Sequence, residues 1–320
     1  MSKCVPILDR MPPEIMEKIV GYTDSIDKFR LRQCCKYFKQ IVDNSEIVFN
    51  SLEFCWKNSQ NLATISVSIT GRQRIRKVFN DKTPKDKSPI ENAMLALKFL
   101  EKVLKSHSKI RLVNLKFNVP FKSQELMKHR EMLVEEVWRI FSGFENKLPV
   151  ETLWMLWMRD EQLLMRVLPH LVPGTLHELN FTNAYFADTR INLSRIVETK
   201  QWKQAKVLGV DRNYLSICVG ETDHFDIMEY SVDRVEVNDV KRIVENILRK
   251  NGWKKRSIYP NEYDFDALKQ YLSQFDRQMG DTDPNNEEND DLRMTIRRDG
   301  YKCKIEMNRT YRHMTFERVH

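Results

Sequence analysis

The sequence predicts an α+β or α/β protein with three parts: a head of three short helices, a stack of alternating strands and helices, and a C-terminal antiparallel β-meander. Three observations indicate this fold class. Apolar residues recur at helical spacing over residues 6–43, and strand-like and helical runs alternate five times between residues 90 and 260. Asp299-Gly300 separates two alternating runs in the way that a two-residue hairpin turn does.

The composition is typical of a globular, intracellular protein. With 320 residues, 41% hydrophobic and 10% aromatic, the chain is long enough for two domains with a large core. Its six cysteines are scattered, without a C-x-x-C pair or a Cys/His cluster at metal spacing, as expected of reduced thiols. The sequence has no apolar leader and no apolar run of membrane-spanning length. We therefore expect a cytoplasmic and/or nuclear protein with no membrane contact.

The head is predicted from local signals. Pro12 and Pro13 suit the first turn of a helix, and Glu14 places negative charge at the positive end of the helix dipole. Asp24 or Ser25 can cap the second helix. The apolar residues of the three helices are Ile15, Ile19 and Tyr22, then Ile26, Phe29 and Leu31, then Cys34, Phe38, Ile41 and Val42.

The head is too small to cover its own apolar surface. About forty residues is near the lower limit for a fold held by one apolar core. Leu8, Met11 and Ile15 lie on a side that three short helices cannot cover. The pattern favours a docking module that completes its core against another protein. The alternative is a three-helix cap on the domain that follows.

The order of these residues resembles an F-box. The resemblance covers residues 1–46 and rests on Leu8, Met11-Pro12, Pro13-Glu14-Ile15, Ile19, Phe29, Leu31-Arg32-Gln33-Cys34-Cys35-Lys36, Phe38 and Ile41. Met11 and Cys34 depart from the commoner Leu and Val, but both are apolar. The resemblance implies binding to a Skp-type adaptor and, through it, to a cullin–RING ubiquitin ligase. The adaptor-binding residues that it implies are Ile7, Leu8, Met11, Pro12, Ile15, Ile19 and Phe38, whereas Phe29 and Leu31 would hold the helices together.

A small antiparallel sheet and a linker are predicted after the head, over residues 47–89. Residues 47–79 contain three short runs rich in β-branched and aromatic residues. Residues 81–89 (DKTPKDKSP) are charged and interrupted by proline, which is typical of a loop.

The stack is predicted over residues 90–260. Successive strands are marked by Leu115, Leu153, Leu179, Leu208 and Val232, at spacings of 38, 26, 29 and 24 residues. The last three spacings are within the range of leucine-rich repeats, although the repeat signature itself is not kept. Residues 191–197 are expected to belong to a helix, as are residues 161–171. We favour a degenerate leucine-rich-repeat-like stack. The alternative is a compact α/β domain with a parallel sheet.

A second resemblance covers roughly residues 90–248. PGTLHELNF, IVETKQWKQAKVLGV (Ile196 to Val210) and HFDIMEYSVDRVEVNDVKRIV resemble the FTH domain that follows the F-box in the nematode-expanded F-box family. The resemblance implies a role in holding substrates for ubiquitin transfer. We expect Trp202 itself to be a core residue.

The C-terminal part, residues 261–320, is predicted to contain a helix, an acidic loop and the meander. Apolar spacing indicates a helix over residues 263–278. Residues 280–291 carry six acids and no base. A three-stranded meander over residues 292–319 would cap the open end of the stack.

No pattern in the sequence points to catalysis or to a cofactor. The histidines are scattered, no phosphate-binding glycine motif is present, and no metal spacing occurs, so we expect no catalytic residues, cofactor or metal site. Trp138, Trp154 and Trp157 could line a binding surface, but we expect at least two of them to be core.

The predicted function is that of a non-enzymatic substrate receptor, with an unidentified protein client. One alternative is a nucleic-acid-binding protein that uses residues 72–130, where sixteen Lys and Arg face five Asp and Glu. No nucleic-acid motif accompanies this surplus, so we do not expect nucleic acid as a partner. The other alternative is an F-box scaffold that acts outside any ligase.

Overall fold

The structure is a computed structural model that describes residues 11–59, 62–70, 74–79, 88–119, 129–156, 161–182, 190–216, 222–249, 252–275, 291–298 and 300–319. The chain divides into two compact units. Unit 1 comprises Met1–Leu156 and Arg166–Leu176, and unit 2 comprises Trp157–Met165 and His177–His320. No helix within the described residues is long and apolar enough to cross a membrane.

Unit 1 contains the helical head and a five-stranded mixed sheet. Its helices are α1 (Pro13–Tyr22), α2 (Ser25–Cys34), α3 (Lys36–Asn44), α4 (Pro89–Leu104) and α5 (Arg130–Ser142). Its strands are β1 (Ile47–Ser59), β2 (Leu62–Thr70), β3 (Arg74–Phe79), β4 (Ile110–Asn118) and β5 (Val150–Leu156). The order is β3-β2-β1-β4-β5, antiparallel from β3 to β1 and parallel from β1 to β5. The predicted antiparallel strands are therefore confirmed, and β1 joins them to parallel strands.

Helices α4 and α5 pack on this sheet through aromatic and aliphatic side chains. Helix α4 begins with a capping box in which Ser88 and Glu91 each satisfy the other's backbone N–H. In β4 the buried residues alternate with partly exposed ones, so that Phe117 points into the core. Its ring lies 6.5 Å from that of Phe54 in β1 and 6.1 Å from that of Phe141 in α5. These ring contacts hold α5 against β4 and join β4 to β1.

Unit 2 contains a larger mixed sheet. Its strands are β6 (Glu178–Thr182), β7 (Arg190–Asn192), β8 (Val207–Ser216), β9 (Ile227–Val235), β10 (Lys255–Tyr263), β11 (Asp291–Arg298), β12 (Tyr301–Asn308) and β13 (His313–Val319). The order is β6-β8-β9-β10-β13-β12-β11, and β7 also pairs with β8. Strands β6, β7, β8, β9 and β10 pair in parallel, whereas β10, β13, β12 and β11 pair antiparallel. The predicted meander is confirmed, and through β13 it pairs directly with the last parallel strand.

Unit 2 also contains three helices that lie wholly within it. They are α7 (Lys200–Gln204), α8 (Val237–Ile247) and α9 (Phe265–Ser273). The short helix α6 (Gln162–Val167) and a 3-10 turn (Leu168–His170) lie where the chain divides between the units. One apolar cluster joins α8 and α9 to the meander through Ile243, Ile247, Leu272, Ile305 and Phe316. Thus the meander, α8 and α9 share a core.

The alternation of strand and helix is confirmed, but several assignments differ. Residues 191–197, expected to be helical, contain the end of β7 and then a single turn in which Ile196 and Val197 donate to the carbonyl of Leu193 at 2.9 and 3.1 Å. The apolar spacing therefore reflected one turn that does not propagate into a helix. The apolar pattern does not predict strand β10, and this strand includes Tyr263, which the spacing places in the next helix.

Helix α8 begins with a capping box. Glu236 is the N-cap residue, and Asp239 completes the box by accepting from the Glu236 N–H at 3.0 Å. Of the linker predicted at residues 81–89 and the acidic loop predicted at 280–291, residues 81–87 and 280–290 lie outside the described residues. Ser88 and Pro89 instead cap and begin α4, and Asp291 begins β11.

The burial of the tryptophans agrees with the prediction for Trp202 but differs from it for Trp138 and Trp154. Trp202 is buried as expected, with the ring of Phe225 edge-on at 4.9 Å. Trp138 is 42% exposed and lies under the guanidinium of Arg166 at 5.1 Å. Trp154 is half-buried, and Trp157 lies outside the described residues. Trp138 and Trp154 are therefore not core residues, contrary to the expectation that at least two of Trp138, Trp154 and Trp157 would be.

Candidate functional site

Helix α1 has a buried side and an exposed apolar side. Met16 and Val20 are 0% and 1% exposed. Ile15, Ile19 and Tyr22 recur at helical spacing on another side and are 44%, 39% and 82% exposed. An apolar stripe that faces water on a helix that packs through a different side is typical of a protein-binding surface. We call Ile15, Ile19 and Tyr22 the α1 stripe.

The predicted adaptor-binding residues fall into three groups. Ile15, Ile19 and Pro12 are exposed and Met11 is half-buried, and all four lie in α1 or in the two residues before it. Ile7 and Leu8 lie outside the described residues. Phe38, predicted to belong to the same surface, is 5% exposed in α3 and lies inside the head. Tyr22 was not predicted as a site residue, although its spacing from Ile15 and Ile19 already placed it on their side.

The head is closed by short-range interactions between its helices. The Asp24 carboxylate caps α2 by accepting from the Asp27 N–H at 2.8 Å. Arg32 of α2 donates to Asp43 of α3 at 2.5 Å, and this hydrogen bond lowers the pKa of the Asp43 carboxyl. Val42 is fully buried in α3. The head is therefore a defined structure and not three independent helices.

Helix α2 and the end of the head are also fixed to the sheet of unit 1. The ring of Phe29 stacks on that of Phe49 in β1 at 5.6 Å, so Phe29 joins the head to β1 in addition to any role between helices. The Ser25 hydroxyl donates to the Val48 carbonyl of the same strand, and Lys28 donates to the Glu46 carbonyl at 3.1 Å.

The loop between α4 and β4 adds a second set of anchors. His107 is 6% exposed, and its Nε2 lies 2.8 Å from the carbonyl of Val42 at the end of α3. Its Nδ1 accepts from the backbone N–H of Lys109 at 3.0 Å, which requires the proton on Nε2, and Nε2–H then donates to Val42. Lys109 Nζ donates to the Asn44 carbonyl at 3.0 Å. These anchors fix the direction in which the α1 stripe faces relative to unit 1.

A polar cleft lies in unit 2 at the carboxyl ends of β9 and β10. Its volume is about 920 Å³. Arg234, Arg309 and Arg312 line it together with Asp264, whose carboxylate also caps α9. Arg312 has a positive φ of 47° and donates to the carbonyl of Asn261. Clefts at this edge of parallel strands are common ligand sites, and this one presents both signs of charge.

The described residues contain no arrangement suited to metal binding. No group of three or more His, Cys, Asp or Glu side chains among them is placed to hold a metal ion. What the described surfaces offer is an apolar stripe on a rigid head and polar or charged surfaces on unit 2. Such surfaces can bind and position other molecules.

Two family models match the chain. The F-box domain model matches residues 8–50, which include α1, α2, α3 and the start of β1. The FTH domain model matches residues 131–276, from α5 to the end of α9. The chain carries an F-box followed by an FTH domain. The FTH match begins and ends later than the roughly 90–248 suggested by the sequence. No curated protein and no solved structure matches the chain.

The two domains are of the adaptor type. F-box domains generally bind Skp-type adaptors of cullin–RING ligases, and the F-box and FTH families are non-catalytic. The α1 stripe lies within the F-box match, and the polar cleft lies partly within the FTH match. An F-box in general supports a role as a substrate adaptor of an SCF-type ligase.

Proposed function

We propose that this chain is the substrate-recognition subunit of an SCF-type cullin–RING ubiquitin ligase. The observation that carries the proposal is the α1 stripe, which is exposed and apolar on a helix within the F-box match. The F-box binds a Skp-type adaptor, and the remainder of the chain binds a protein client. The chain is non-enzymatic in this role and requires no cofactor.

The adaptor surface consists of the α1 stripe with Met11 and Pro12 beside it. Covering the exposed parts of Ile15 and Ile19 contributes about 1 kcal/mol each, since full burial of such a side chain contributes about 1.5–3 kcal/mol. Tyr22 adds a large ring with a polar tip, a side chain favoured in protein interfaces. Ile7 and Leu8, from the sequence alone, extend the surface. Phe38 contributes from inside the head by supporting α3.

The mechanism is positioning. The head is anchored to the rest of unit 1 through Phe29, Ser25, Lys28 and His107, so an adaptor bound at α1 has a defined orientation relative to the sheet of that unit. A client held by the same chain is then presented to the ubiquitin-conjugating enzyme at high effective concentration. This mechanism needs binding surfaces and rigidity, and it needs no reactive side chain. The site of action is intracellular, in the cytoplasm and/or the nucleus, where cullin–RING ligases act.

The test is co-purification with a Skp-type adaptor. Ile15→Asp with Ile19→Asp places two charges in the proposed apolar contact and should weaken adaptor binding by at least about tenfold. Both residues are partly exposed, so the far-UV circular-dichroism spectrum should not change. Gly21→Asp is the control: it adds one acid on another side of α1, where a new side chain meets no atom within 4 Å. Undiminished co-purification of the double variant would remove the proposal.

Two other functions make different predictions. An F-box scaffold outside any ligase would bind the adaptor equally well, but a reconstituted ligase would then fail to ubiquitylate proteins captured by the chain. A nucleic-acid-binding role would show an affinity that falls steeply with salt. Within the basic residues 72–130, Lys105 pairs with Glu101 at 2.9 Å and Arg111 lies 3.7 Å from both Glu46 and Glu151, which lowers the charge available to phosphates.

A further inference from the structure

Strand β11 forms one edge of the sheet in unit 2. It pairs with β12 in an unbroken antiparallel register from Asp291↔Asn308 to Arg298↔Tyr301. Within the described residues no strand pairs with its other side. Proteins often protect exposed sheet edges with prolines or bulges. Strand β11 is eight residues long and has no proline and no bulge in its register. Its outer side is therefore able to pair with another strand.

The register shows which backbone groups face outward. Two residues separate Arg298 from Tyr301, and Gly300 has the positive φ of 81° expected of such a turn. In a two-residue hairpin the flanking residues form a hydrogen-bonded pair, and these pairs alternate with non-bonded ones. The N–H and C=O groups of Arg298, Ile296 and Met294 thus point to β12. Those of Arg297, Thr295 and Arg293 point outward.

The two faces of β11 differ in chemistry. Met294 and Ile296 are 6% and 4% exposed and belong to the cluster with α8 and α9. Arg293, Thr295 and Arg297 are exposed on the opposite face. Their partners on β12 are, in order, Glu306, Lys304 and Lys302, and Lys304 pairs with Glu306 at 2.8 Å. Over this stretch of the two strands the solvent face carries four cations and one acid.

We propose that β11 binds an extended acidic segment of a partner protein, which adds to the sheet as a further strand beside Arg293, Thr295 and Arg297. Backbone hydrogen bonds to the outward groups supply the pairing, as in other cases of strand addition. Acidic residues of the segment lie opposite Arg293 and Arg297 at the distance of cross-strand pairs. The identity of this partner as the client of a ubiquitin ligase rests on the proposed function.

The alternation of β11 also specifies the pattern of the segment. Residues opposite Arg293, Thr295 and Arg297 share their solvent face and are acidic. The residues between them lie on the side of Met294 and Ile296, where apolar side chains extend the existing core. The partner segment is therefore an alternation of acidic and apolar residues, and not merely a run of acids.

The experiment measures peptide binding to the full chain by fluorescence anisotropy. The probe is a fluorescein-labelled peptide of about ten residues in which glutamate and valine alternate, compared with a peptide of the same composition in which the glutamates precede the valines. Arg293→Glu with Arg297→Glu should weaken binding of the alternating peptide by about tenfold or more, because two attractive cross-strand pairs become repulsive. Arg76→Glu with Lys98→Glu makes the same charge change in unit 1, including on edge strand β3, and should leave affinity within about twofold.

A second pair of variants tests the backbone. Thr295→Pro removes an outward N–H without touching the bonds to β12, so the chain should keep its fold and lose most of its affinity. Thr295→Ala keeps the N–H and should bind within about twofold of the wild type. Thermal unfolding confirms that each variant is folded.

Three results would overturn the inference: no binding of the alternating peptide to the wild-type chain, equal binding of both peptides, or unchanged affinity of the Arg293→Glu/Arg297→Glu variant. The inference fails separately from the proposed function. The Ile15→Asp/Ile19→Asp variant should lose adaptor binding and bind the peptide normally. The Arg293→Glu/Arg297→Glu and Thr295→Pro variants should bind the adaptor normally and lose peptide binding.

Discussion

Truncation of Met16 should mainly lower the stability of the chain, whereas truncation of the neighbouring Ile15 should mainly weaken adaptor binding. Met16 is 0% exposed and Ile15 is 44% exposed. Met16→Ala should lower the free energy of unfolding by about 3 kcal/mol, since it removes a fully buried side chain and leaves a cavity. Ile15→Ala should lower it by only about 1 kcal/mol, because much of that side chain already faces water.

For adaptor binding the order of the two effects reverses. Ile15→Ala should weaken the affinity about fivefold by removing about 1 kcal/mol of burial, whereas Met16→Ala should leave it within about twofold while the chain is folded.

The assay has two arms on the same preparations. Urea unfolding followed by circular dichroism gives the free energy of unfolding, and a calorimetric titration with purified Skp-type adaptor gives the affinity. Glu17→Ala serves as control, because Glu17 is exposed on another side of α1 and should change neither quantity. The double variant Ile15→Ala/Ile19→Ala should weaken the adaptor further, by about thirtyfold if the two contributions add.

The reasoning would be refuted by either of two results. If Ile15→Ala destabilised the chain as much as Met16→Ala, the α1 stripe would already be packed within this chain. If Ile15→Ala and the double variant bound the adaptor normally, the stripe would be exposed but would not be the docking surface.

Two further predictions concern the link between the head and unit 1, and the pH dependence of stability. His107→Ala leaves the carbonyl of Val42 without its imidazole donor, so the free energy of unfolding should fall by about 2 kcal/mol and amide exchange in α3 should accelerate, with Lys98→Ala as a neutral control. The pKa of Glu101 falls from 4.5 to about 2, chiefly through hydrogen bonds from Arg139 and secondarily from a lysine. A lowered pKa contributes stability above the unfolded value, and this contribution is lost as pH falls from about 4.5 to about 2. Glu101→Gln should therefore reduce the change in the free energy of unfolding with pH in that window. An unchanged slope would contradict the lowered pKa of Glu101.

The helical head was predictable because its signals are local. Pro12 and Pro13 start α1, and Asp24 caps α2 within four residues of the groups they affect. The position of Ile15 and Ile19 on one side of α1 followed from their helical spacing of four residues. By contrast, the resemblance places Phe38 of α3 on the adaptor surface, whereas its side chain is buried. The spacing of apolar residues shows which of them share one side of a helix. Whether that side is buried depends on what packs against it.

The order of strands was not predictable in the same way. The alternation of strand and helix is visible in the apolar pattern, but β1 pairs with β4 across about sixty residues, and β10 pairs with both β9 and β13. Strand β10 itself has the buried Arg256 and Pro260 within it, which hide its apolar pattern. Arg256 is satisfied there by the carbonyls of Phe225 and Asp226. Partners for a buried arginine cannot be identified from neighbouring residues.

The sequence by itself determined that the chain begins with three short helices, continues with alternating strands and helices, and ends with a hairpin-based meander. Each of these features depends on residues within a few positions of one another. Only the tertiary structure decided which surfaces remain open. The anchoring of α3 by His107, the burial of Phe38 and the edge position of β11 depend on contacts between residues far apart in the chain. Binding surfaces are what remains after the chain has packed against itself, so they follow from those long-range contacts.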